Sequence, residues 1–366
     1  MKFDRRSLAL AAATVALAAC SDMVIKADRT KDDPGAPASG DAAQDAAVQA
    51  QASANPLAEG IDRAAFSTAM PDAEPGRQMM IRAQVLLDRA RFSPGVIDGA
   101  YGENVRQAIA AFEAANGMPV DGQLDAAVFE KLTAIDASPI MQDYVITEAD
   151  VKGPFAPKIP DDYEDMAELE RLSYTSPAEM LAERFHMDED LLRALNPDAD
   201  FTKAGTPLLV VRPGDDKLAT QVARIEVDKA EREARAFDAA GRLLAVYPAT
   251  VGSSDMPAPS GRLKVAAIAP DPTWTYDPAK LNFGKAGKKL TIAAGPNNPV
   301  GSIWIDLTKD TYGIHGTPEP EKVGKADSQG CVRLTNWDAE ELGSAVSQGT
   351  EVVFVGTEGT SGRAPA

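Results

Sequence analysis

Tyr312-Gly313-Ile314-His315-Gly316-Thr317 and, a short way on, Ser328-Gln329-Gly330-Cys331-Val332-Arg333-Leu334 hold one of the chain's two histidines and one of its two cysteines. A thiol becomes a strong nucleophile at neutral pH only when a base or a positive neighbour favours its thiolate. Glycines flank His315 and precede Cys331, and a residue without a Cβ lets backbone approach a substrate closely. Around this pair the texture is that of strands. Val222 to Val227 alternates with period two. Ala236-Phe237-Asp238 runs through Ala240-Gly241 into Leu243 to Tyr247, a hairpin signal. Leu263 to Val265, Gly301 to Leu307, Tyr312 to His315 and Glu351 to Val355 add strands, and Asn336 to Leu342 starts a short helix with Asn336 as its cap. Many short strands with one or two helices predict a mainly β, sandwich-like domain over 218–357.

The chain has 366 residues, which suggests two or three domains. Its net charge of −18 argues against a nucleic-acid partner and against electrostatic docking on anionic lipid. Lys2, Arg5 and Arg6 precede an apolar run from Leu8 to Ala19, which has the length of a signal-peptide core and is too short for a membrane span. Leu17-Ala18-Ala19-Cys20 resembles a lipoprotein box, so residues 1–20 are expected to be a lipoprotein signal with a multiply acylated Cys20; more than one acyl chain is what stable anchoring requires. Arg5-Arg6 also fits a twin-arginine signal, and Ser21 favours an outer-membrane destination. The expected location is therefore periplasmic and membrane-anchored through Cys20. With Cys20 lipidated, Cys331 has no disulfide partner in its own chain, and a lone exported thiol is either buried or used.

Residues 21–75 are rich in Ala, Asp, Gln and Pro and read as a disordered tether. Residues 76–137 carry three helical patterns, around Met80 to Leu87, Arg106 to Phe112 and Val128 to Leu132, broken by glycine turns at Gly95 to Gly102 and Val120-Asp121-Gly122. That pattern resembles the all-α three-helix peptidoglycan-binding domain. Residues 138–168 read as a linker. Residues 169–214 show Leu172 to Ser176 as a strand, helices around Leu181 and Leu191, Leu195-Asn196-Pro197, and a closing strand at Leu208 to Val211. This small α+β unit resembles a LysM module, which would bind N-acetylglucosamine chains. His186 lies within it and reads as a surface or packing residue, since one histidine without a second His or a Cys nearby makes a poor metal site. Residues 358–366 read as a flexible tail.

The 218–357 domain resembles the YkuD-type L,D-transpeptidases, which carry His-Gly-Thr followed by Ser-His-Gly-Cys-Val-Arg. Pro296 to Gly301 and Trp304 to Leu307 also fit the family. The resemblance implies Cys331 as nucleophile and His315 as general acid/base. It implies attack on the third residue of a stem tetrapeptide, release of D-Ala and transfer of the acyl group to an amine, with no cofactor and no metal. Within that frame the Gly316 carbonyl would orient His315, and backbone N–H groups around Gly330 would bind the oxyanion. Arg333, Ser328, Trp304 and Tyr312 are candidates for substrate contact. One position departs: the family's second histidine is Gln329 here, which can hydrogen-bond but cannot take a proton charge. Hydrolysis of wall peptide or of protein links, or a catalytically weak wall-binding lipoprotein, are the competing readings.

Overall fold

The computed structural model describes residues 55–68, 74–253, 256–279, 287–326, 328 and 330–357. The expected signal peptide with Cys20, Gln329 and the tail at 358–366 lie outside the described residues, as does most of the expected tether.

The N-terminal half is one helical body. Helix α1 (Pro56–Asp62) is capped by Asn55, whose side chain accepts from the Leu57 N–H. Helices α2 (Glu74–Arg89), α3 (Glu103–Ala115) and α4 (Ala126–Ile135) follow, α4 capped by Asp125. Strand β1 (Met141–Val145), the short helices α5 (Glu148–Lys152) and α6 (Tyr163–Met166), helices α7 (Pro177–Arg184) and α8 (Glu189–Leu195), and strand β2 (Pro207–Val211) complete it.

Three expectations change here. The tether was expected to reach residue 75, yet α1 buries Ala58 and Ile61 in the core. The Asp62 carboxylate also accepts from the Ile140 and Met141 N–H groups. The strand expected at Leu172 to Ser176 is absent. Its backbone bonds instead to the downstream domain, with Leu172 N–H donating to Ala294 O and Asn297 N–H to Leu172 O, both at 2.9 Å. The partner of β2 is β1, antiparallel, from the stretch expected to be linker. Finally, one continuous apolar core runs from Ala58 through Phe112 and Leu181 to Val211. The helical unit and the following α+β unit are therefore a single packed body.

The C-terminal half is the expected β domain. Strands β3 (Arg224–Asp228), β4 (Glu233–Phe237), β5 (Leu243–Pro248), β6 (Gly261–Pro270), β7 (Trp274–Tyr276), β8 (Leu290–Ile292), β9 (Ile303–Leu307), β10 (Gly313–His315), β11 (Val332–Arg333) and β12 (Glu351–Val355) surround helix α9 (Asn336–Ala345). Alternation in β3 buries Ile225 and Val227, and burying each such side chain stabilises by about 1.5–3 kcal/mol. Eight strands form a single mixed sheet in the order β11-β10-β9-β6-β12-β3-β4-β5, and β7 and β8 form a separate hairpin.

The expected sandwich is thus a curled half-barrel. Long β6 serves both halves: its start pairs with β12 and, past a register shift at Val265/Ala267, its end pairs with β9. A bulge of this kind bends and twists the strand. The curl brings the two edges together, where Thr250 and Arg333 exchange backbone hydrogen bonds of 2.8 Å and Gly252 bridges Ser328. The Cys331 loop lies on that seam.

Candidate active site

The site is built on β9, β10 and β11. Strand β10 pairs antiparallel with β9 and parallel with β11, which puts His315 opposite both Trp304 and Arg333. Ile314 and Val332 point into the core, each fully buried. Alternation then places Trp304, His315 and Arg333 across the other face, with Cys331 two residues before Arg333 on that same face. The imidazole stacks on the Trp304 indole at 5.4 Å between centroids. Cys331 is half-buried and packs on the apolar cluster that holds Trp274, Tyr276, Val300 and Trp304.

His315 Nδ1 lies 2.6 Å from the Gly316 carbonyl oxygen. A carbonyl only accepts, so Nδ1 carries the proton and Nε2 keeps the lone pair. Burial and then the Arg333 charge push the imidazole down to about 3. Burial pushes the Cys331 thiol up to about 11, against the pull of the Gly313 N–H and of Arg333. The resting pair is therefore neutral thiol and neutral imidazole at pH 7. In this state Cys331 Sγ donates to the Thr311 carbonyl at 3.6 Å.

The loop before Cys331 is tightly specified. Ser328 Oγ donates to the Cys331 carbonyl at 2.6 Å and accepts from the Gly330 N–H at 3.2 Å. Ser328 is buried, so its hydroxyl shapes the loop. Gly330 has φ +107°, a backbone region that side chains rarely adopt, and a Cβ there would sit 3.0 Å from the Tyr312 ring. Tyr312 flanks the loop, with Lys309 Nζ 4.3 Å from its ring centroid. Trp304, expected to contact substrate, is buried beneath His315 and bonds Asp306 through Nε1.

Sequence reasoning missed Asn336. It was expected to cap α9, but the cap is Thr335, whose side chain accepts from Asp338 N–H. This releases the Asn336 amide for the turn after His315. Its Oδ1 accepts from the Ser302 and Thr317 N–H groups, both at 3.0 Å. Its Nδ2 donates to Glu183 Oε1 at 2.7 Å and to Pro296 O at 3.2 Å. A Cβ on Gly316 would lie 2.1 Å from Asn336 Oδ1. The glycine after the histidine was a signal for a close approach, but only folding shows what approaches.

Comparisons with known proteins match two parts of the chain. Residues 222–354 match the model of the YkuD L,D-transpeptidase catalytic domain, and residues 77–132 match that of a peptidoglycan-binding domain. A relative from Bacillus licheniformis, named "Putative L,D-transpeptidase YkuD", is 30% identical over 174 residues, which span 48% of this chain and 90% of that one. The chain belongs to the YkuD family of L,D-transpeptidases. Another relative, "Probable L,D-transpeptidase ErfK/SrfK" of Escherichia coli, is 30% identical over 50% of this chain and 60% of its own length. The solved L,D-transpeptidase from Mycobacterium smegmatis is 18% identical, with a TM-score of 0.31 over 43% of this chain and 76% of that one. The transpeptidase domain is a cysteine acyltransferase, and Cys331 is the one cysteine within residues 222–354.

Upstream residues close over this domain. Tyr163 of α6 packs against Trp274 and Tyr276 of the β7–β8 hairpin, at 5.1 and 4.9 Å between centroids. Arg171 grips Asp271 with two bonds of 2.8 and 2.9 Å. A cavity of about 740 Å³ remains between the two halves, walled by Tyr163, Glu179 and Glu183 on one side and Asn297, Thr317 and Arg333 on the other. Cys331 does not line it, whereas Arg333, two residues on, does. His186 is buried at a second junction. It faces Asp88 and Asp216 at 3.3 Å each and stacks on Trp337 of α9 at 5.0 Å.

Proposed function

We propose that the enzyme forms a thioester between Cys331 and the third residue of a peptidoglycan stem tetrapeptide, then hands the acyl group to an amine acceptor. Sγ bonds to the carbonyl carbon as the thiol proton passes to His315 Nε2. The bond to D-Ala breaks as that proton moves to the leaving nitrogen. The acceptor amine attacks the thioester, the C–S bond breaks, and the amine's proton returns through His315 to sulfur. Arg333 pairs with a substrate carboxylate from the cavity side, and its Nε is buried with no partner among the described residues. The long Gly330 N–H bond to Ser328 Oγ is one that a tetrahedral oxyanion can displace.

The observation that carries this reading is the register of β10 and β11. It places His315 beside Arg333, two residues from Cys331, while Gly316 fixes the imidazole tautomer. The region from β1 to β2 adds support for wall binding of the LysM type: two strands paired antiparallel with helices between them. We assign Cys20 to lipid anchoring and the tether to reach across the periplasm.

The test is incubation of the full chain with a purified disaccharide tetrapeptide, followed by mass spectrometry. Release of D-Ala with a cross-linked dimer is expected, and Cys331→Ser is expected to give neither while unfolding at the wild-type temperature. D-Ala release without dimer, with no added amine incorporated, would replace transfer by hydrolysis. Absence of both products from the wild type would overturn the reading.

A further inference from the structure

Glu183 sits in the last turn of α7, in the upstream body, yet its carboxyl reaches the catalytic domain. Oε1 accepts from Asn336 Nδ2 at 2.7 Å and from the Tyr174 hydroxyl at 3.2 Å. Asn336 in turn holds the Thr317 N–H at 3.0 Å, one residue past the carbonyl that fixes His315 Nδ1. A single polar path therefore runs from the upstream body to the general base: Glu183, Asn336, the Gly316–Thr317 peptide, His315. An Asn side chain can rotate about two torsions. Oδ1 is fixed by two catalytic-domain N–H groups. On the Nδ2 side the only other acceptor among the described residues is the Pro296 carbonyl, at a longer 3.2 Å.

We propose that Glu183 is a positioning residue for His315, acting through Asn336, so that docking of the upstream body sets the rate of the acylation step. This rests on the thioester reading above.

Burial raises the Glu183 carboxyl to about 8, so at neutral pH the group is an uncharged hydrogen-bonding partner. Glutamine is then a close mimic: similar in shape, uncharged, with an Oε1 that still accepts from Asn336. Aspartate is one methylene shorter and falls short of Asn336. Alanine removes the acceptor altogether and leaves Nδ2 with Pro296 alone.

The experiment uses the full chain and a carbapenem as acylating probe, with intact mass read over time across a range of probe concentrations. Glu183→Ala is expected to lower the limiting acylation rate by about tenfold while leaving the half-saturating concentration unchanged, because misorientation of the base affects chemistry rather than probe binding. Glu183→Gln is expected to stay within about twofold of wild type. A limiting rate in Glu183→Ala equal to wild type overturns the proposal, and so does a Glu183→Gln as slow as Glu183→Ala. If Glu183→Ala does not unfold cooperatively, Glu183→Asp replaces it: slow acylation beside a fast Glu183→Gln supports the path, and equal rates overturn it. A wild type that is not acylated overturns the thioester reading itself, which separates the two failures.

Discussion

Replacing Gly316 with alanine tests the catalytic turn with one methyl group. The new Cβ would sit 2.1 Å from Asn336 Oδ1 and 3.2 Å from Asn336 Cα. The first contact is too close for any rotamer adjustment to leave Oδ1 where it is. The second is backbone on α9, which cannot yield without moving the helix. Asn336 must therefore swing away, and the Ser302 and Thr317 N–H groups lose their shared acceptor. An unsatisfied buried donor costs about 1–3 kcal/mol, and overpacking adds a similar amount. We expect a loss of roughly 3–5 kcal/mol. The same shift draws the Gly316 carbonyl off His315 Nδ1. A displacement of about 1 Å at a catalytic group costs on the order of 100-fold in rate. Urea unfolding followed by tryptophan fluorescence reads the stability term cleanly, since all three tryptophans, Trp274, Trp304 and Trp337, lie in the catalytic domain. Carbapenem acylation reads the rate. A variant within about 1 kcal/mol of wild-type stability, against the loss expected from a stranded donor, and acylated at the wild-type rate would refute the role given to Asn336 and Gly316.

Three further outcomes are expected. With the thiol held up to about 11, alkylation of Cys331 by iodoacetamide should rise about tenfold per pH unit from pH 8 to 10, because only the thiolate reacts; a plateau below pH 9 would contradict the neutral resting pair. His186→Phe keeps the stack on Trp337 but takes the charged partner from buried Asp88, leaving it the Gly214 N–H at 2.7 Å, and breaking a buried pair costs about 3–5 kcal/mol. Burial pulls His186 down, but Asp88 and Asp216 outweigh it and raise it to about 10. Its stabilisation is thus full below about 6.5, the unfolded value, and is lost as pH rises through 10. Thermal unfolding of wild type and variant should differ most near pH 6 and converge in alkali; a constant difference would show that packing alone is at stake. Residues 55–213 should sediment with insoluble peptidoglycan as a folded fragment, whereas 77–136 alone should lack cooperative unfolding, having lost the β1–β2 side of its core; cooperative melting of the short piece would show that the shared core is dispensable.

The sequence by itself determined the local elements and the chemistry. Period-two alternation marked β3, because one of its faces is buried, and glycine turns separated α2, α3 and α4. A thiol and one nearby histidine among glycines marked a candidate pair, and the resemblance to the YkuD family is what implied acyl transfer there. Tertiary structure alone decided the partners. β1 and β2 are distant in sequence, and nothing in Met141 to Val145 announces Pro207 to Val211 as its neighbour. β11 is two residues long, below the length at which alternation can show, and it exists because β10 and the Thr250 backbone hold it. Asn336 looks like a cap in sequence because its neighbours begin a helix; it became the anchor of the catalytic turn because Thr335 took the cap and two glycines left room for its amide. Glu183 was unremarkable among the acids of α7, and it meets Asn336 only through the packing of two bodies whose contact no local pattern encodes.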